Sequence, residues 1–145
     1  MFNSVLRIGL FALGAAAVLI GLSIYFFGPG STGNAFTSLM ATMGHDGGRM
    51  DDLSAVNVDS EMRFYAVFWI GYGIAVLATA FDLVARLHWV PWLSAMFLAG
   101  GLGRVVSYVL VGPPHPFLMM LMFVELVLPL VFIGLWIGAR QNSGR

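Results

Sequence analysis

The chain has 145 residues, 59% hydrophobic and only 10% charged, and its formal net charge is zero. That is too apolar for a soluble domain of ordinary composition, and seven scattered arginines with no lysine make no basic stripe for nucleic acid, which is excluded as a partner. The absence of cysteine excludes disulfides, thiolate nucleophiles and Cys-based zinc or iron–sulfur sites.

Four apolar runs follow in chain order: Ile8–Phe27, Phe64–Phe81, Val90–Val111 and Phe117–Ile137. Each is long enough to cross a hydrocarbon layer of about 30 Å, which takes roughly 20 helical residues. Their apolar character is continuous, whereas barrel strands alternate in short segments, so the spacing predicts helices. The expected fold is all-α and integral to the membrane: one domain, 1–145, with four transmembrane helices in an up-down bundle at about 5–27, 61–83, 90–111 and 116–138. The first run exceeds a signal-peptide core, and no A-x-A site follows it, so it reads as a retained anchor. With the N-terminus inside, Arg7, Arg86, Arg140 and Arg145 lie on the cytoplasmic side against Arg49 and Arg63 outside. Both termini are then cytoplasmic, and the segment 28–60 and the GPPHP turn face outward.

The segment 28–60 opens with GPGSTGN, a breaker-rich exit from the first helix. In AFTSLMATM, Phe36, Leu39, Met40 and Met43 fall at helical spacing, which predicts a short interfacial helix. HDGGRMDD, holding Asp46, Asp51 and Asp52, reads as flexible and acidic. VDSEMRF reads as the entry to the second helix, with Asp59 or Ser60 as N-cap and Glu61 in the first turn. Along that helix Glu61, Tyr65, Phe68 and Tyr72 share a face. With Arg63, and with His115 in the later turn, they form a polar face in the outer half of the bundle. Tyrosines there also read as interface anchors, and Arg63 as a residue reaching headgroups. Ala17 with Gly21, Gly71 with Ala75, and Gly100, Gly101 and Gly103 are small residues that permit close helix packing.

The third and fourth runs each carry a charge. Arg104 lies eight residues before Gly112, about 12 Å below the outer turn, and Glu125 nine residues after Pro116, at about 13.5 Å. Helices joined by so short a turn run antiparallel, so a direct Arg104–Glu125 contact is expected. A lone charge near the centre of a span costs roughly 2.5–3.5 kcal/mol, and an ion pair at 4 Å returns about 4 kcal/mol at an effective dielectric near 20. Paired, the two charges roughly break even. Pro129 removes the helical donor to the Glu125 carbonyl, adding an acceptor and an expected kink. Ser107 and Tyr108, three and four residues after Arg104, complete an expected polar pocket on the arginine face.

The blocks NVDSEMRFYAVFW (57–69), GRVVSYVLVGPPHP (103–116) and VEL around Glu125 resemble a family of small four-helix bacterial membrane proteins catalogued as domain of unknown function family 4345. The resemblance runs from the first helix to Trp136, and its pattern falls on Glu61, Arg63, Tyr65, Arg104, Ser107, Gly112, Pro113, Pro114 and Glu125. It implies a bacterial inner-membrane protein of four helices, and it implies no activity. HDGGRMDD is particular to this chain.

No nucleophile elbow, HExxH, phosphate loop or catalytic carboxylate pair is present. The expected function is therefore non-enzymatic: an accessory or structural subunit, or a small-molecule or lipid-headgroup binder, organised around the Arg104–Glu125 pair. Its expected partners are the lipid bilayer and a second copy or another membrane protein, with no cofactor. Three other readings stand beside it. A transporter or proton relay would use the intramembrane charges, but only LVLPLVFIGLWIG lies between Glu125 and the inner side. Cu(I) could bind the soft ligands Met40, Met43, His45 and Met50, with Met119, Met120 and Met122; methionine also simply fills cores. An enzyme acting on lipid would need Glu61, Arg63, Arg104, His115 and Glu125 assembled together.

Overall fold

The computed structural model describes residues 2–45 and 48–143, with side chains through Gln141. Asp46 and Arg145, which entered the charge reading, lie outside the described residues. The elements are α1 (Phe2–Phe27), α2 (Pro29–Thr42), α3 (Val56–Phe81), α4 (Leu83–Arg86), α5 (Val90–Val111) and α6 (Pro116–Ser143), with single 3-10 turns at Asp51–Ser54 and Leu87–Trp89. No strand occurs among the described residues. Four helical stretches, Phe2–Phe27, Val56–Phe81, Leu83–Val111 and Pro116–Gln141, are long and apolar enough to cross a membrane. Between 17% and 33% of each apolar window is buried within the protein, so most of that apolar surface faces outward. A water-soluble fold would hide it.

Contacts divide the described chain into two units, one running to Leu13 and from Ala75 onward, the other Gly14–Ile74. In the second unit, Gly21 of α1 lets Ile70 and the Ala66 carbonyl of α3 approach, and Gly73 of α3 takes Val18 and the Gly14 carbonyl of α1. Small residues bring these helices together, as expected, although at Gly73 rather than Gly71, whose surroundings are open. In the first unit α5 and α6 pack along each other. Gly9 receives Phe132, Gly138 receives Phe2, and Phe11 meets Phe81 edge-on at 4.8 Å.

The described residues of the segment 28–60 carry more regular structure than their composition predicts. Gly28 adopts φ 86°, which only glycine takes freely, and turns the chain out of α1. Pro29 then starts α2 at once, so GPGSTGN is the first half of a helix rather than an exit loop. Its glycines are contact residues: a Cβ on Gly30 would strike Ser54 Oγ, and one on Gly33 would lie 3.0 Å from Met50 Cε. Asn34 fastens the same contact, donating to Asp51 Oδ1 (3.1 Å) and accepting the Met50 N–H at Oδ1 (2.8 Å). Arg49 completes it with an ion pair to Asp51 at 3.1 Å. These two partners hold the Asp51 carboxyl below the usual aspartate range, the Arg49 hydrogen bond being the larger cause and Asn34 the next.

The buried side of α2 is Pro29, Gly30, Thr32, Gly33 and Thr37. Leu39 and Met43 of the anticipated apolar stripe point outward. Helix α3 begins at Val56, a turn earlier than Asp59 or Ser60 as N-cap requires; the Asp59 N–H already donates to the Ala55 carbonyl. The 3-10 turn at Asp51–Ser54 feeds the helix directly, which frees Asp59 for another use.

Candidate functional site

Glu125 sits where α6 presses closest to α5. Gly101 makes the approach possible: a Cβ there would lie 3.0 Å from Glu125 Cβ, 3.1 Å from the Glu125 carbonyl carbon and 3.1 Å from Leu126 Cδ2. Gly100 and Gly103, its neighbours in the sequence cluster, face open space. Arg104, one turn along from Gly101, donates its Nε–H to Glu125 Oε2 at 2.6 Å. The contact expected from equal depth is therefore present. It is lopsided, because the Glu125 side chain is 9% exposed and that of Arg104 38%. No other hydrogen bond engages Arg104 among the described residues, so its two Nη groups, with four N–H donors, are uncommitted. Pro129 is fully buried one turn beyond Glu125, inside an α6 that continues through it as one helix. The Glu125 carbonyl thereby loses its helical donor.

Ser107 and Tyr108 do not close a pocket around this pair. Every residue of α5 from Val106 to Val111 is exposed, so their hydroxyls stand on an open face beyond the arginine. Helical spacing put them on the arginine side, where both stay exposed.

The outer polar face also resolves differently. Glu61, Tyr65 and Phe68 are exposed on α3, while Tyr72 is buried with Trp69 stacked on it at 5.5 Å. Arg63 is already committed. Its Nε and Nη2 donate to the two carboxylate oxygens of Asp59 (2.7 and 3.3 Å), and its Nη1 donates to the Tyr25 carbonyl (2.6 Å) in the last turn of α1. A cation placed on the free carbonyls of a helix C-terminus satisfies both their hydrogen bonding and the helix dipole. Arg63 is thus a cap for α1, and Gly28 is the residue it closes over. His115 is a cap as well: its Nδ1 accepts the Phe117 N–H (3.2 Å) and its carbonyl the Leu118 N–H (2.8 Å) at the start of α6.

Of the soft ligands, Met50 is buried against α2, whereas Met43 and His45 are exposed and Met40 half-buried. The His45 ring lies 3.2 Å from the Met43 carbonyl through Nδ1. No group of three or more His, Asp or Glu side chains that could hold a metal occurs among the described residues.

Asn34 and the Asp59 partner of Arg63 were the structural residues hardest to single out from the sequence, which marked Gly101 for close packing without separating it from Gly100 and Gly103. Of the two, only Asp59–Arg63 carried a readable signal, the opposite-charge spacing of four on a helix. No curated protein and no solved structure matches this chain. A family model does match, over residues 5–136, and covers the Arg63 cap, α5, the GPPHP turn and Glu125. The chain belongs to the family described as domain of unknown function DUF4345.

Proposed function

We propose that the chain is an integral protein of the bacterial inner membrane, with four up-down spans, cytoplasmic termini and α2 in the outer interface, and that it binds rather than catalyses. Its ligand is an oxyanion-bearing small molecule or lipid headgroup held at Arg104. One observation carries the reading: Glu125 takes Arg104 by Nε alone, leaving the Nη donors on a side chain that is still 38% exposed. A guanidinium fixed at one edge is a preorganised fork for carboxylate or phosphate, and although Glu125 balances its charge, N–H donors left without an acceptor in an apolar span favour such a ligand. Native mass spectrometry of protein purified in mild detergent tests this. The wild type is expected to retain an anionic ligand that Arg104→Met loses; a wild type carrying none, or a variant carrying the same ligand, contradicts it.

The accessory-subunit reading has its own support. Ala95, Ala99, Gly103 and Ser107 recur at four-residue spacing on α5, and all are exposed, a surface suited to another protein's helix. Gly103→Leu, at a position where an added Cβ meets nothing within 4 Å, would then abolish co-purification of that partner while leaving this protein folded.

A further inference from the structure

The first unit carries a cavity at the end where α6 finishes against Phe2. Its volume is about 420 Å³, and its walls include Asn3, Ser4 and Arg7 of α1 with Asp82, Leu83 and Val84 at the junction of α3 and α4. Arg7 and Asp82 line one space yet form no ion pair with each other; each is tied to backbone instead. Arg7 Nη2 donates to the Phe81 carbonyl at 3.4 Å, with the Phe11 ring centre 5.8 Å from its guanidinium carbon. Asp82 Oδ1 accepts the Ala85 N–H at 3.3 Å, which leaves Oδ2 uncommitted.

A cavity that presents a cation and an anion with no ion-pair partner among the described residues is complementary to a zwitterion. Its size is in the ordinary range of ligand sites, about 300–1,000 Å³. Arg7, the Ser4 hydroxyl and the Asn3 amide supply donors for a phosphate, while Asp82 supplies an acceptor for an ammonium group. Exposed Val84 and buried Leu83 offer apolar surface beside them. The cavity lies where the apolar stretch Phe2–Phe27 begins and where Val56–Phe81 gives way to Leu83–Val111; on the membrane reading proposed above, on which this inference rests, that is headgroup level. We propose that this cavity binds a primary-amine phosphodiester zwitterion, the headgroup chemistry of phosphatidylethanolamine, with phosphate at Arg7 and ammonium at Asp82.

A choline headgroup has no N–H to give Asp82, and a glycerol headgroup has no cation, so selectivity separates the proposal from general lipid adhesion. The full chain in detergent is titrated with short-chain phosphatidylethanolamine, phosphatidylcholine and phosphatidylglycerol, and bound lipid is counted by native mass spectrometry. The wild type is expected to favour phosphatidylethanolamine by about tenfold, the effect of one charge-assisted hydrogen bond. Asp82→Asn keeps the cap of α4, since Asn caps as well as Asp, and is expected to lose that preference. Excess free phosphoethanolamine leaves the lipid bound if the source is the bilayer, and displaces it if the source is soluble. Equal retention of the three lipids by the wild type, or an unchanged preference in Asp82→Asn, overturns the proposal. Arg104→Lys leaves the preference intact, so this site and the Arg104 centre succeed or fail separately.

Discussion

Glu125 is the costlier half of its ion pair to strand, because its side chain is buried whereas Arg104 keeps over a third of its surface exposed. Arg104→Met leaves an uncompensated carboxylate between α5 and α6 and should destabilise by about 3 kcal/mol or more. Glu125→Leu leaves a guanidinium that can reach outward, and should cost less. The Arg104→Met/Glu125→Leu pair should recover much of the loss, since two charges of opposite sign disappear together. Unfolding in detergent, followed by circular dichroism, measures all three. A double variant no better than Arg104→Met would show that the contact contributes no coupling. Asp51 makes a smaller, pH-dependent statement. Its carboxyl is held below the ordinary value by Arg49 and Asn34, so its contribution is present above the unfolded aspartate pKa and is lost as pH falls through the lowered one. The protection factor of the Met50 N–H, bonded to Asn34 in the same cluster, should fall on acidification through that range and stay constant above it, once exchange is corrected for its intrinsic pH dependence.

The helix contacts depend on single glycines, and the three in GGLG of α5 are not equivalent. Gly101→Val would drive a side chain into the backbone and Cβ of Glu125, which cannot swing aside, and should cost about 1–3 kcal/mol. Gly100→Ala and Gly103→Ala meet open space and should be neutral or stabilising by up to about 1 kcal/mol through helix propensity. Thermal unfolding of the three variants side by side checks this, and equal losses would contradict the close approach at Gly101. Arg63→Gln removes a cap from α1 and should cost about 1 kcal/mol, with Asp59→Ala giving a similar loss because the carboxylate orients the guanidinium. Sequence periodicity could show that Arg104, Ser107 and Tyr108 share a side of α5. It could not show that every residue of that helix from Val106 to Val111 stays exposed. Likewise GPGSTGN carries loop propensity residue by residue, but its glycines answer to Met50 and Ser54, about twenty residues on, and such non-local contacts leave no local trace.

Across the whole molecule the four apolar stretches were legible because each is continuous and longer than a bilayer requires, so a few residues of error at either end changed nothing. The Arg104–Glu125 contact was legible for the same kind of reason: both depths are counted from one short turn, and helical rise fixes them. The orientation argued from arginine placement can be tested on a chain that has no native cysteine. Ser38→Cys on α2 should react with a membrane-impermeant maleimide in intact spheroplasts, whereas Ala85→Cys on α4 should react only after permeabilisation; both positions are exposed. The reverse pattern would invert the topology. The central claim is that Arg104 is anchored by Glu125 in order to hold an anion. Arg104→Lys separates anchoring from holding, because lysine keeps the ion pair but lacks the second pair of fork donors. The deciding measurement is the change in unfolding temperature on adding dodecyl phosphate, with uncharged dodecanol as reference. Ligand present at a hundred times its Kd stabilises by about 2.7 kcal/mol, so a shift of several degrees is expected in the wild type and little or none in Arg104→Lys. Equal shifts in the two proteins, or none in the wild type, would contradict the account.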